Sequence, residues 1–419
     1  MNQRHIQRNV EQCLRVFPAA VITGARQVGK STLAKMLISK GWNARYITLD
    51  DRMILDAVLS DPDGWLSAQG EDPLVIDEVQ RAPDLLRAIK LEIDRKRRPG
   101  RFLLTGSTNL LLSPQIKESL AGRAAIFRLL PFSWREKERQ GPPALLDLAF
   151  KSKNSSAFLK GLPPVKKSAR GRDAIVAQIL EGGYPPVAGM NPLQRGRWFS
   201  SYRQTYVERD LRDISAIQSL PDFNRLLTSI ASRSAEIFKV SENARDLGMV
   251  EMTVKRYVDL LEVTYQVYRL YPYFINIGKR LVKRPKLYFL DSGICAHLAG
   301  FGSWRDIELV RKTGHMAETW VAGEILKWIS CQEEEYGLFF WRAHGGEEVD
   351  FLVIKGGEVV PIEVKWSSTI LPHDLKGLTV CKEVFGKRLR MSIILYLGDE
   401  VRSLTPNLVA IPLSFAFGP

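Results

Sequence analysis

The sequence predicts an α/β fold that opens with a parallel-sheet module, continues through a helical domain and closes with a second, mixed α/β domain. Three observations predict it. Short apolar runs alternate with amphipathic stretches over the first ~135 residues, the pattern of strand–helix–strand units. A glycine-rich loop joins the first apolar run to the first amphipathic stretch. Beyond residue 305 one long helical pattern precedes strand patterns and more helix.

The chain has 419 residues, 45% hydrophobic and 25% charged, the balance of a globular protein with more than one core. Disordered, collagenous and coiled-coil readings are excluded for the chain as a whole. No uninterrupted apolar run reaches the ~18 residues of a membrane span. The opening MNQRHIQRNVEQ lacks the apolar core of a secretory signal, so a cytoplasmic protein without membrane association is expected. Cys13, Cys295, Cys331 and Cys381 stand far apart, with neither metal-ligand nor disulfide-scaffold spacing. Sixty Lys and Arg against forty-six Asp and Glu leave a net charge of +14. That balance favours a polyanionic partner, nucleic acid before acidic membrane.

Taken in order, the strands of the first module are Ala19–Thr23, Arg45–Leu49, Leu74–Ile76 and Phe102–Thr105. Their near-continuous apolar runs suit a parallel sheet covered on both faces. The first is followed by Gly24-Ala25-Arg26-Gln27-Val28-Gly29-Lys30-Ser31, with Thr32 opening the helical pattern Thr32–Ile38. Strand, loop and helix thus stand in the order a phosphate-binding loop requires. Gly24 and Gly29 permit the backbone angles that turn amide hydrogens toward phosphate oxygens. Lys30 is placed to neutralise the β- and γ-phosphates, and Ser31 to hold Mg2+.

Leu74-Val75-Ile76-Asp77-Glu78 is an apolar strand ending in two carboxylates. Asp77 at its tip is a Mg2+ ligand candidate, and Glu78 a base for the water attacking the γ-phosphate. The strand Phe102–Thr105 ends in small polar residues, of which Thr105 or Ser107 is positioned to meet the γ-phosphate or that water.

The wording TGARQVGKST, VIDEVQRAP, LLTGSTNLLL and LAGRAAIFRLLPFSWRE resembles one prokaryotic branch of the AAA+ ATPases, over residues 1–135. Members of that branch carry a C-terminal domain catalogued as of unknown function. The resemblance implies ATP as ligand and a homo-oligomer, a hexameric ring among the forms open. It also makes Arg123 the match for an arginine that reaches a neighbouring subunit's nucleotide and stabilises transition-state charge. An arginine paired within its own subunit is the alternative reading.

Residues 136–200 begin with a Lys-, Ser-, Pro- and Gly-rich stretch, read to about residue 172 as a linker or mobile insertion, and continue as a helical lid region. In residues 201–304, Ser241–Gly248 reads as a short capped helix ending in glycine, and Met252–Leu261 as a second helix. Two strands, Val263–Tyr271 and Lys286–Leu290, follow, and the set resembles a winged helix. Lys255 and Arg256 are expected to face outward on the second helix. The basic loop with Lys279, Arg280, Lys283, Arg284 and Lys286 is expected to form the wing. These seven cations are the nucleic-acid candidates, suited to phosphate contact. Winged helices also serve as protein-binding modules, and a charge run is often a solvated loop.

In residues 305–419, Glu318 lies in line with Val321, Ile325 and Trp328 on the helix Ala317–Ser330, where a carboxylate needs a partner or a metal. Strand Glu347–Ile354, the turn Lys355-Gly356-Gly357-Glu358 and strand Val359–Val364 read as a hairpin. It brings Asp350 beside Glu363 and Lys365. Asp350 and Glu363 are candidate ligands for Mg2+ or Mn2+, with Lys365 orienting the attacking water. With Glu318 they resemble the restriction-endonuclease-like PD-(D/E)xK superfamily, Val349 standing where the motif has proline. His344 is read as a loop residue.

Two functions remain open at this point. One is an ATPase acting on DNA, such as a repair, recombination or branched-DNA intermediate, which the C-terminal domain binds or cleaves. In a narrower form it is a DNA-binding protein with slow turnover. The other is a nucleotide-gated switch whose winged helix and inactive nuclease-like domain bind protein.

Overall fold

The computed structural model describes residues 3–106, 121–163, 171–207, 217, 219–274 and 283–419. Ser107, Lys279 and Arg280 of the candidates above lie outside them. The chain divides into two compact units, Met1–Leu130 with Leu261–Gln266, and Pro131–Leu260 with Val267–Pro419.

The first unit is built on five parallel strands, β1 (Ala19–Thr23), β2 (Arg45–Thr48), β3 (Leu74–Asp77), β4 (Phe102–Gly106) and β5 (Ala124–Arg128). Their spatial order is β2-β3-β4-β1-β5. Strands β1, β3 and β4 are buried along their whole length, as their unbroken apolar runs require. β5 is half-exposed at the sheet edge, which explains its weaker signal in the sequence. One core packs Val21, Ile47, Ile76, Leu86, Ile89 and Leu104 together. Each such side chain contributes ~1.5–3 kcal/mol on removal from water.

The second unit begins with three short helices, Trp134–Lys137, Leu145–Lys151 and Ser155–Gly161. This corrects the linker reading for those residues. Leu145, Leu146, Phe150 and Phe158 are buried, so apolar spacing inside the polar stretch prevails over its loop-like composition. The helices Val240–Leu247 and Glu251–Val263 follow, joined at Gly248, which takes the left-handed conformation (φ 65°) of a helix C-cap. β6 (Val267–Leu270) and β7 (Lys286–Phe289) pair antiparallel. β6 is shorter than expected because the preceding helix runs on to Val263.

The helix Thr313–Ser330 precedes a six-stranded mixed sheet of β8 (Gly337–Arg342), β9 (Glu348–Lys355), β10 (Glu358–Val364), β11 (Ser392–Tyr396), β12 (Arg402–Thr405) and β13 (Leu408–Pro412). The order is β12-β13-β11-β10-β9-β8. β9 and β10 form the expected hairpin, with Lys355 opposite Glu358 and Phe351 opposite Ile362. Gly356 and Gly357 supply the positive φ angles of its turn (54° and 87°). The helix Lys376–Phe385 packs on β9 and β10. Among the described residues no helix is long and apolar enough to cross a membrane.

Candidate nucleotide site and C-terminal carboxylate cluster

The glycine loop leaves the carboxyl end of β1, and Gly29, left-handed at φ 98°, starts the helix Lys30–Ser39. Gly24 has no room for a side chain, since a Cβ there would lie 2.2 Å from the Leu129 carbonyl oxygen. Ala25, Val28 and Lys30 are buried, Gly29 and Ser31 half-buried, and Arg26, Gln27 and Thr32 exposed. Gln27 also takes a left-handed φ of 61° and Gly24 a positive φ of 152°, so the loop departs from ordinary backbone angles at three residues.

Lys30 donates its ammonium hydrogens to the carbonyl oxygens of Gly24 (3.0 Å) and Ala25 (2.9 Å). Burial pulls its pKa down to about 8, against the opposing charges of Glu78 and Asp77. Beside it, at the ends of β3 and β4, Asp77 accepts hydrogen bonds from the Thr105 hydroxyl and, at its other oxygen, from the Tyr46 phenol. Ser31 hydrogen-bonds the same phenol. Burial, and then Asp77, push the Tyr46 pKa upward, so it stays a donor. Glu78 has a left-handed backbone (φ 58°), a conformation that costs a non-glycine residue ~1–3 kcal/mol. Its amide donates to Thr105 Oγ1 (3.4 Å) and its carboxylate accepts from the Gln80 amide.

Ser31, Asp77, Thr105, Glu78 and Lys30 therefore gather at one end of the sheet, and the oxygen donors of Ser31 and Asp77 suit Mg2+. Two contributors were not foreseen. Tyr46 gave no signal beyond an aromatic residue on β2. Arg4 is buried in this unit and donates to the carbonyls of Val28 (2.8 Å) and Leu130, bracing the loop from behind. Nothing in the sequence distinguishes it from other N-terminal cations. Arg123 is held by its own chain, with Nε and Nη2 on the two carboxylate oxygens of Asp94 at 2.7 and 2.8 Å. In this state the pairing within the subunit, not the free finger, describes it.

In the second unit, Lys255, Lys283 and Arg284 are exposed. Arg256 is not outward-facing as expected. It is half-buried 5.4 Å from the Tyr257 ring, with Nε and Nη2 out of solvent. Lys286 also departs from the wing reading. It is 6% exposed, on the buried strand β7, and its ammonium lies 3.0 Å from Glu318 and 2.6 Å from Glu348. The partner that Glu318 requires is thus a lysine, together with the Tyr288 hydroxyl.

The hairpin does bring Asp350, Glu363 and Lys365 together. Asp350 Oδ2 accepts the Val364 amide hydrogen at 2.8 Å, and Lys365 contacts Glu363 at 2.9 Å and Asp374 at 3.6 Å. Burial, then the charge of Glu318, raise Asp350 to about 7. Burial, then Asp350, raise Glu363 to about 8. Burial also raises Glu318. On Lys286 burial acts against the charge, but Glu318, Asp350 and Glu348 outweigh it and the pKa rises. Carboxylates outnumber ammonium groups here, so protons are held on the acids.

With Lys286 paired to Glu318, this geometry lends no support to the metal assignment for Glu318, Asp350 and Glu363. Among the described residues no three His, Cys, Asp or Glu side chains group so as to hold a metal ion. Glu318 faces Lys286 and Tyr288, while Asp350 is turned to a backbone amide.

Residues 16–138 match the model of an AAA domain. Residues 172–305 and 313–416 match two domains of unknown function (DUF8612 and DUF4143). An uncharacterized protein of Mycobacterium tuberculosis is 29% identical over 416 residues, 98% of this chain and 84% of its own. One from Methanocaldococcus jannaschii is 20% identical, over 96% and 87%. Among solved structures, the Walker-type ATPase of Pyrococcus abyssi aligns with 71% of this chain and 96% of its own, at 15% identity and a TM-score of 0.44. The AAA match, with the parallel sheet around the loop, makes the N-terminal part an AAA-type ATPase module.

Proposed function

We propose that the chain hydrolyses ATP at the Gly24–Ser31 loop and uses the cycle to act on DNA held by its basic middle segment. One observation carries the nucleotide half. The loop after β1 stands beside Asp77 at the end of β3 and Thr105 at the end of β4, and β4 pairs with both β1 and β3. Bound Mg2+ would supply charge neutralisation between the phosphates, held by Ser31 and Asp77. Lys30 would leave the loop carbonyls for the phosphate oxygens. Thr105 and Tyr46 would keep Asp77 oriented, and the Glu78 carboxylate would take the proton of the attacking water.

The net charge of +14 and the exposed Lys255, Lys283 and Arg284 support DNA as the polyanion. The test is ATP turnover with and without duplex and branched DNA. Turnover abolished in Lys30→Ala, and DNA stimulation lost in the triple variant Lys255→Ala, Lys283→Ala, Arg284→Ala, are expected. Hydrolysis that persists in Lys30→Ala rejects the site. A turnover indifferent to DNA favours the switch reading, in which the C-terminal domain is a silent scaffold. The ion pairs of Lys286 inside the acidic cluster already favour that part of it.

A further inference from the structure

Lys286 is among the most enclosed charges of the second unit. Its strand neighbours fix it, because β7 pairs with β6 (Lys286 opposite Leu270) and bridges to Ile237 on its other side. The ammonium stands 5.6 Å from the centre of the Phe340 ring and within 3.0 Å of oxygens from both Glu318 and Glu348. Those carboxylates come from separate elements, the helix Thr313–Ser330 and β9. A lysine arriving from a third is therefore the point at which they converge.

A hard divalent cation takes about six oxygen ligands at roughly 2.0–2.6 Å, one or two carboxylates commonly among them. It cannot share Glu318 Oε1 with an ammonium 3.0 Å away without strong like-charge repulsion in a buried place. With the ammonium in place the remaining acids are turned to other partners. Asp350 is bonded to a backbone amide, and Glu363 gives one oxygen to Lys365. The other, Glu363 Oε2, is buried without a partner. The residues present thus do not fit the metal that the nuclease resemblance implies.

We propose that Lys286 is the resident cation of this cluster, its ammonium occupying the Glu318 and Glu348 oxygens that a divalent metal would need. While it is in place the cluster binds no metal, and metal-dependent strand cleavage there is switched off. The inference is independent of nucleotide chemistry and needs only the second unit.

Mn2+ is the probe, read by electron paramagnetic resonance on the nucleotide-free full chain in an Asp77→Asn background that removes the loop's own carboxylate. With Lys286 present, no Mn2+ binding that depends on Asp350 is expected. Lys286→Ala takes up one Mn2+ at least about tenfold more tightly, and adding Asp350→Asn abolishes the gain. Lys286→Arg keeps the charge and stays silent. Mn2+ uptake by the Lys286-containing chain that disappears on Asp350→Asn overturns the proposal, as does equal silence in Lys286→Ala. Should Lys286→Ala fail to fold by circular dichroism, Lys286→Gln carries the same two outcomes. ATP turnover is read separately, in chains that keep Asp77 and differ only at Lys286, so failure here is distinguishable from failure of the ATPase reading.

Discussion

Tyr46 donates its phenol hydrogen to Asp77, and this bond ties β2 to the acidic tip of β3. Removing it in Tyr46→Phe leaves a buried carboxylate oxygen short of a donor, a cost of ~1–3 kcal/mol. Asp77 would then lose the orientation needed to hold Mg2+. ATP turnover is expected to fall about tenfold with the fold intact. Steady-state kinetics over a Mg2+ titration checks it, and unchanged Mg2+ dependence would sink the assigned role.

Lys30 has a pKa of about 8 in the nucleotide-free chain because it is buried. Phosphate oxygens favour its charged form, so binding ATP takes up a proton wherever Lys30 is partly neutral. Affinity is therefore level below about pH 8 and weakens above it, by up to about tenfold per pH unit. Calorimetry in buffers of different ionisation heat should detect that proton near pH 8.5. Equal dissociation constants at pH 7 and 9 would contradict the claim.

Gly24→Ala places a methyl carbon 2.2 Å from the Leu129 carbonyl oxygen. The loop must move, at a cost of ~1–3 kcal/mol in overpacking. Nucleotide binding should be lost, while the melting temperature falls by several degrees. Fluorescent nucleotide titration reads the first and differential scanning calorimetry the second.

The C-terminal cluster makes a prediction of opposite sign to ordinary acid denaturation. Asp350 and Glu363 hold their protons up to about 7 and about 8, against ordinary values of 3.8 and 4.5. They bind protons more tightly folded than unfolded. Their stabilising contribution is complete below about pH 4 and is lost as pH rises through about 7–8. Denaturant midpoints should drop between about pH 5 and 8, and the paired change Asp350→Asn, Glu363→Gln should flatten that slope. A slope unaltered in the variant would refute it.

The nucleotide site was legible because its determinants are local. Glycines, lysine and serine follow a buried strand in sequence, and the carboxylates end another. β1 appears over the residues its apolar run marks, whereas β5 is half-exposed at the sheet edge and gave little signal. The inward turn of Lys286 is not legible in the sequence, because a run of cations says nothing about which one is buried. That choice is made by β7, whose four residues are all buried, and by carboxylates distant in the chain. Glu318 carried half of this message, since an acid on an apolar helix face needs a partner. The partner's identity depends on tertiary packing and could not be read from spacing.

The central place of β1 in its sheet has a consequence for biosynthesis. Its flanking strands are β4 and β5, so Ala19 pairs with Phe102 on one side and Ala124 on the other. A nascent chain released before Arg128 has left the ribosome would present β1 with a naked edge, and the glycine loop would have no scaffold to shape it. The earliest-made element of the candidate nucleotide site is thus among the last to mature, and N-terminal fragments ending short of β5 should aggregate instead of capturing nucleotide.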